Sequence, residues 1–570
     1  MLNDDHVLNG PHSDRKALLL LLLLGLVLFA VGIGLRDPWP ADEPRFALVA
    51  RQMVDSGQWL FPFRGGELYP DKPPVFMWAI AVFLELTGSL RLAFLLPSLL
   101  AGLGCLALVF DIARRLWDRA TAWRAGLLLL LTIQFTLQAR TAQIDALVTF
   151  FILLGVYGFL RFLGRDGGWR WYYLGWFAAG VGVITKGVGI LALFVLLPAL
   201  WTHRSELRGA RWTAWLKGLA GPLCLAGAIA LWVAPMMLAV HRSGSPEYLA
   251  YQDNILFRQT VTRYGSAWHH VAPWYDYLVN VIPAFWLPLS LLLPWLVIRW
   301  HRAWRAGDRR VVLLLSYLVL VLVFFSASPG KRGVYILPAT PALALLAAPY
   351  LPELMGLRGP RRLWSGLAWL LVLLAGLGAL ALLFPKVQAR AAALDFGNLL
   401  PSLLALGVLA AGAAVRFRKS PACAVPAVLA SVWLVVGLGI NPALNEGRTP
   451  VAVMRQAEAA VPQGQELLLV DYREQFLLFA SRPVNHLAYH LPAADQAGLA
   501  ATWQAAAPGR WILGPEDLLR RTFDLGPGRD LGERHGEHWW LLPPGSARPS
   551  GRPLDEPVFR FVPAGNSMNR

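Results

Sequence analysis

Along most of this chain, long apolar runs alternate with short connections rich in arginine. A run of about 20 apolar residues crosses a hydrocarbon core, and the pattern predicts about thirteen spans, near 17–35, 90–113, 120–139, 142–163, 171–185, 187–202, 214–238, 278–298, 311–327, 334–351, 363–384, 398–415 and 420–440. The expected fold class is mainly α: a polytopic membrane helix bundle. Between the first two spans the pattern changes. Asp42-Glu43-Pro44-Arg45 opens a segment with Phe46, Val49, Ala50, Met53 and Val54 on one helical face and Gly57 just past its end, which predicts a short amphipathic helix lying on the bilayer. Tyr69-Pro70-Asp71-Lys72-Pro73-Pro74 follows.

After about residue 441 the apolar runs shorten, and proline, glycine, acidic residues and histidine become common. This divides the chain into a membrane domain, 1–441, and a water-facing domain, 442–570. Leu467 to Val470, Trp511 to Leu513 and Trp539 to Leu542 read as strands and Gln475 to Ala480 as a helix, so the second domain is expected to be α/β. His535, Glu537 and His538 read as surface residues.

Composition agrees with a membrane protein: of 570 residues, 56% are hydrophobic and 15% charged. A net charge of +17 would point to nucleic acid in a soluble protein. Here the charge is topological. Arg114 to Arg124, Arg161 to Arg170, Arg204 to Lys217, Arg299 to Arg310, Arg358 to Arg362 and Arg416 to Lys419 all fall on one side with Arg15 and Lys16, the side that faces the cytoplasm. The first polar motif, the loop from about 239 to 277, the Ser328 to Gly333 turn and the C-terminal domain then face outward. The three cysteines fall within spans and offer neither a disulfide framework nor a metal spacing. A transporter or flippase would show repeat symmetry and broken helices at the midplane; the charges here gather at one face instead.

The outward motifs are Asp42-Glu43 with Arg45, Asp71-Lys72-Pro73-Pro74, Asp145 at the outer start of a span, Lys186-Gly187, and Phe325-Ser326 through Gly330-Lys331 to Tyr335-Ile336-Leu337-Pro338. In these the chain resembles the polyprenyl-phosphate-dependent membrane glycosyltransferases of the C superfamily, the 39/83-like families, and within them the bacterial 4-amino-4-deoxy-L-arabinose lipid A transferases. The resemblance implies a GT-C fold of about 13 transmembrane helices with amphipathic juxtamembrane helices and a C-terminal periplasmic α/β domain, in the bacterial inner membrane. It implies an undecaprenyl-phosphate sugar donor, a lipid A acceptor and contact with membrane lipids, with no nucleic acid. Transfer to another cell-surface glycan or to protein hydroxyls is the alternative.

Breaking the bond between an anomeric carbon and a polyprenyl phosphate releases a phosphate dianion, so such a site needs a cationic clamp. Lys72, Lys186, Lys331 and Arg332 are the candidates. A lysine at a tight turn between spans can also be a snorkelling side chain, and Lys331 with Arg332 can be a basic turn on lipid headgroups. Asp42 is the central acid, able to accept a proton, fix the sugar or pair with an amino sugar; the structural alternative for Asp42 and Glu43 is helix capping. Asp145, a carboxylate among apolar residues, is costly there unless it positions a cation or the acceptor, and the alternative is again a plain cap. Asp42, Lys72 and Asp145 are thus the catalytic candidates, and Glu43, Arg45, Asp71, Lys186, His269, Lys331, Arg332 and Tyr335 the binding ones. The resemblance allows a divalent ion near Asp71 and His269, but two ligands from distant segments make a poor set; no metal and no cofactor is expected. Phe46 and Asp71 stand where the family commonly has tyrosine and glutamate, and the Gly330 to Gly333 turn departs from its usual wording, which bears on the choice of sugar or acceptor.

Overall fold

Among the described residues seven helices are long and apolar enough to cross a membrane, among them Leu90–Leu116, Ile144–Leu163, Trp212–Ser243 and Arg358–Ala381, and counting each of two sharply bent pairs as one crossing raises the number to nine. The computed structural model describes residues 11–164, 167–204, 212–257, 271–549 and 552–563. The protein is a mainly helical, multi-pass membrane protein.

The bends correct two expected straight spans. Arg119–Leu131 and Ile133–Ala139 meet at 72°, where Thr132 leaves the helical region with ψ 114° and its hydroxyl donates back to the Leu128 carbonyl at 2.8 Å. Tyr277–Phe285 and Leu289–Arg305 meet at 112°, across Pro288, which has no N–H to continue a helical ladder. The bends also have a use. Gln134, just past the first, donates to the Gly333 carbonyl at 2.6 Å and accepts from the Trp286 indole at 2.8 Å, joining both bent segments to the turn that carries Arg332. Two further boundaries differ from the pattern. The helix Trp212–Ser243 runs past the expected start of the 239–277 loop and is followed by Pro246–Asp253. An apolar helix over Val75–Thr87 had no counterpart among the expected elements.

Charged contacts mark the two ends of the bundle. At one, Asp111 accepts from Arg114 and Arg115, each at 2.6 Å, and from the Tyr157 hydroxyl at 2.8 Å. Arg114 also reaches Asp14 at 3.2 Å, and Arg310 donates to the Leu116 carbonyl. The basic connections and the N-terminal segment therefore share an end. At the other, Asp37 pairs with Arg91 at 2.6 Å and accepts from Asn445 at 2.7 Å, tying three bundle segments together beside the first polar motif.

The amphipathic helix forms over Glu43–Ser56, with a proline in its first turn and the Gly57 amide bonded to the Met53 carbonyl at its end. Its expected place on the bilayer is not what the structure shows. Phe46, Val49, Ala50 and Met53 are buried in protein, against the Val75–Thr87 helix and the C-terminal unit. An apolar face satisfies its pattern equally well against lipid or against protein. A two-stranded hairpin follows, β1 (Phe63–Arg64) and β2 (Glu67–Leu68). Its turn residue Gly65 has φ 68°, and a Cβ there would sit 2.9 Å from the His486 ring, so the hairpin can approach the C-terminal unit only with glycine at that position.

The C-terminal unit is a six-stranded mixed sheet: β3 (Glu466–Leu469), β4 (Val484–Leu487), β5 (Arg510–Pro515), β6 (Arg529–Arg534), β7 (Glu537–Leu542) and β8 (Val558–Phe561), in the order β6-β7-β5-β3-β4-β8. β4, β3 and β5 run parallel, and antiparallel neighbours cover both flanks. The period-two pattern sorts its faces. Leu468, Val470, Ile512 and Leu542 pack with the helix Ala493–Ala505, while Leu467, Leu469, Leu513 and Leu541 join the core of the Glu43–Ser56 helix. His486, buried, is 2.6 Å from the Gly65 carbonyl through Nε2, pinning β4 to the hairpin. His535 is half-buried, with Glu537 and His538 exposed.

Candidate active site

Five segments far apart in sequence bring their charged groups together where the helical bundle meets the C-terminal unit. Asp42 caps nothing: its side chain makes no bond to the amides of the helix it precedes. Its Oδ2 instead accepts from Arg332 at 2.7 Å, and its Oδ1 lies 3.9 Å from Arg45. Burial works to raise the Asp42 pKa, but Arg332, Arg45 and Lys186 together outweigh it and hold the carboxyl below its ordinary range. Arg332 is affected in the opposite sense: burial favours its neutral form, and the carboxylates Asp42 and Asp145 more than restore the charge. The guanidinium remains one-third exposed, with donors left over for a ligand.

Asp145 lies in the first turn of the Ile144–Leu163 helix and forms an ion pair with Lys186. Both side chains are nearly buried, at 9% and 13% exposure, which makes the pair interdependent. Lys186 ends its helix, followed by Gly187 with φ 86°, and its ammonium stands 4.7 Å from the centre of the Tyr335 ring. The acid beside Lys186 is thus supplied by Asp145, from a span 41 residues earlier in the chain.

Other predicted residues have structural duties. Glu43 is buried and fully engaged, accepting from both Arg36 terminal nitrogens at 2.5 and 2.7 Å, from the Trp39 amide at 2.8 Å and from the Ala142 amide at 2.9 Å. It anchors the strand ahead of Asp42 to the start of the Asp145 segment. Lys331 turns away from the cluster and donates to the carbonyls of Ala272 and Ser328 at 3.0 and 2.5 Å, closing its own turn. Lys72 donates to the Asp71 carbonyl at 3.1 Å. Phe46, which lacks the hydroxyl of the family pattern, is in the core, edge-on to Phe76 at 5.2 Å.

His269 lies outside the described residues, as do Arg258, Arg263, Tyr264, Trp268 and His270 of the same loop and Arg165, Arg208 and Arg211 of the basic connections. Among the described residues no group of three or more histidine, cysteine or acidic side chains could hold a metal ion. From that loop Tyr248 and Tyr251 pack on Phe61, with ring centres 4.6 and 5.5 Å apart.

Sequence reasoning missed a second half of the cluster. Arg45 Nε donates to Glu474 at 2.7 Å, and Arg64 lies 3.7 Å from the same oxygen. Arg64 stacks over the Tyr489 ring at 3.7 Å and faces Tyr69 at 5.3 Å. Tyr69 is fully buried, and that burial pushes its phenol pKa up. Glu474, at the start of a short helix after β3, is 3% exposed. No sequence signal marks it, because an acid in a water-facing segment is ordinary until the structure shows its burial.

Comparison with known proteins follows the same lines. Residues 71–232 match the family model described as dolichyl-phosphate-mannose-protein mannosyltransferase. The chain is 34% identical over 375 residues to the undecaprenyl phosphate-alpha-4-amino-4-deoxy-L-arabinose arabinosyl transferase 2 of Pseudomonas fluorescens, an alignment covering 64% of each chain and so just under two thirds of that relative. It is 31% identical over 438 residues to the corresponding transferase of Pseudomonas savastanoi pv. phaseolicola, covering 75% of this chain and 78% of the relative. The Pseudomonas aeruginosa transferase is 32% identical over 443 residues, covering 75% and 76%. The fold matches the crystal structure of ArnT from Cupriavidus metallidurans bound to undecaprenyl phosphate, with a TM-score of 0.72 over 94% of this chain and 99% of that one at 20% identity. The apo form of the same protein matches at a TM-score of 0.69, over 94% of this chain and 100% of that one.

Proposed function

Since this chain belongs to the family of the undecaprenyl phosphate-alpha-4-amino-4-deoxy-L-arabinose arabinosyl transferases, we propose that it moves 4-amino-4-deoxy-L-arabinose from undecaprenyl phosphate to a phosphate of lipid A. It is a glycosyltransferase. An acceptor phosphate oxygen attacks the anomeric carbon, the bond from that carbon to the donor phosphate breaks, and its electron pair leaves on undecaprenyl phosphate as the dianion forms. Arg332, Lys186 and Arg45 stabilise that developing charge, with Lys72 as a further cation. Asp42 and Asp145 orient the cations, and either carboxylate can meet the ammonium of the sugar. Tyr335 packs beside Lys186, and Glu43 and Lys331 maintain the frame.

The observation that carries this reading is the state of Asp42. A carboxyl kept ionised between Arg332 and Arg45 is a weak general base, since a useful base has a pKa near the working pH. That suits an acceptor already anionic at neutral pH, as a phosphate monoester is, better than a glycan or protein hydroxyl that must lose a proton.

The site and the C-terminal unit, 442–570, face the periplasm in this reading, and residues 1–441 form the transferase domain in the inner membrane. The basic connections at the opposite end support that orientation. Taking both bent pairs as crossings and adding Pro11–Ala30, Trp169–Lys186, Val188–Thr202 and Leu400–Arg416 gives each of the thirteen expected spans a helix. The direct test supplies purified protein with the aminoarabinosyl undecaprenyl phosphate donor and either intact or dephosphorylated lipid A. Product is expected only with the phosphorylated acceptor; equal transfer to the dephosphorylated lipid would overturn the phosphate reading. In cells, lipid A that keeps the same mass after deletion of the gene, under conditions of expression, would remove lipid A as the acceptor.

A further inference from the structure

We propose that Glu474 is a positioning residue of the transfer reaction, through which the C-terminal unit sets the direction in which Arg45 points. This rests on the functional reading above and assigns the C-terminal unit a part in it. Arg45 has two carboxylates within reach. Its Nε bonds Glu474 at 2.7 Å, while its Nη1 is held at 3.9 Å from Asp42. Asp42 already accepts from Arg332 at 2.7 Å. Glu474 is itself fixed: it is 3% exposed, and Arg64 lies 3.7 Å from the oxygen that Arg45 uses. Arg64 is in turn held over the Tyr489 ring, and the Tyr489 amide donates to Glu67 of the hairpin at 2.7 Å. The chain of contacts therefore runs from the sheet to the hairpin and to the catalytic carboxylate.

Without the charge on Glu474, Asp42 is the carboxylate left to pair with Arg45 among the described residues, and the low dielectric of the junction strengthens that attraction. The guanidinium would then close on Asp42, neutralise it a second time and be withdrawn from the donor phosphate. Glu474 thus keeps Arg45 off Asp42. The effect falls on the chemical step, so kcat should drop while KM for the lipid acceptor stays near its wild-type value.

A double-mutant cycle on the full-length purified protein tests this. Glu474→Gln keeps the shape and an acceptor oxygen and removes the charge; kcat is expected to fall roughly tenfold. In an Arg45→Ala background the same change should have little further effect, because the residue through which Glu474 acts is gone. Should the glutamine variant fail to insert, Glu474→Asp, which keeps the charge and withdraws it by one methylene, is expected to lower kcat in the same Arg45-dependent way. Losses that simply multiply in the double variant, or wild-type kcat in a folded Glu474→Gln protein, would overturn the inference while leaving the transferase reading standing. A wild-type protein that transfers no sugar would overturn both.

Discussion

The Lys186 and Asp145 pair allows stability and catalysis to be separated. Lys186→Met removes the ammonium and keeps most of the apolar stem. Asp145 is then left as a carboxylate at 9% exposure with its cation gone. Breaking a fully buried pair in this way costs about 3–5 kcal/mol, and the residual exposure of both side chains lowers that to roughly 2–4 kcal/mol. The purified protein should therefore melt several degrees lower. Transfer should fall by about 10²–10³ in kcat, the loss expected when one preorganised donor to developing negative charge is removed. Adding Asp145→Asn removes the stranded charge, so the double variant should regain most of the melting temperature and none of the turnover. Thermal unfolding in detergent and a radiolabelled-sugar transfer assay on the same preparations provide both readings. Recovery of turnover together with stability would show that the pair only holds two spans together, and the cationic clamp would lose its central member.

Asp42→Asn should insert and purify normally yet lose at least about a hundredfold in transfer. Because the folded pKa of Asp42 is depressed, its contribution is fully present above the ordinary carboxylate pKa and lost only as pH falls through the lower, folded value. Rates between about pH 5 and 8 should therefore show no acidic limb from this group, and a limb in that window that Asp42→Asn abolishes would contradict the assignment. Lys331→Met should lower the melting temperature, by an amount corresponding to about 1–3 kcal/mol for two stranded carbonyls, with any loss of turnover following the loss of folded protein; an inactive variant of normal stability would return Lys331 to the clamp. Reporter fusions after Asp118 and Arg305 should report cytoplasm and those after Gly66 and Gly464 the periplasm. The same side for Gly66 and Asp118 would invert the proposed active face.

Hydrophobic runs located the helices well because a membrane span must satisfy its backbone internally and so reads as one long apolar segment. The same signal cannot show a bend. Thr132 and Pro288 sit inside runs that look continuous, and the turns they introduce follow from contacts with other helices. The amphipathic helix was placed correctly in sequence and wrongly in space, since Phe46 and Met53 would look the same against lipid. At the site, Asp42, Arg332, Asp145, Lys186 and Tyr335 were legible through motif resemblance and a shared outward side, and the structure brings all five together. Glu474, Arg64 and Tyr489 were not. Each depends on the docking of a sheet onto a six-residue hairpin, a long-range contact with no local pattern. Glu43 and Lys331 were read as binding residues because a charge beside a membrane surface looks alike whether it meets a ligand or the protein's own polar groups.

The bond between Arg45 and Glu474 spans 429 residues of chain, and that separation has a consequence in time. A ribosome adding about 5–20 residues per second makes Arg45 about 20–90 s before Glu474. On the proposed topology the early polar motif reaches the outer face before Glu474 is made, and its arginine then lacks the partner that the sheet supplies. A nascent or truncated transferase would accordingly reach the bilayer with most of its helices but without the last wall of its own site. Competence would arrive late and all at once, when the sheet docks, so an unfinished chain cannot draw on the scarce lipid-linked sugar.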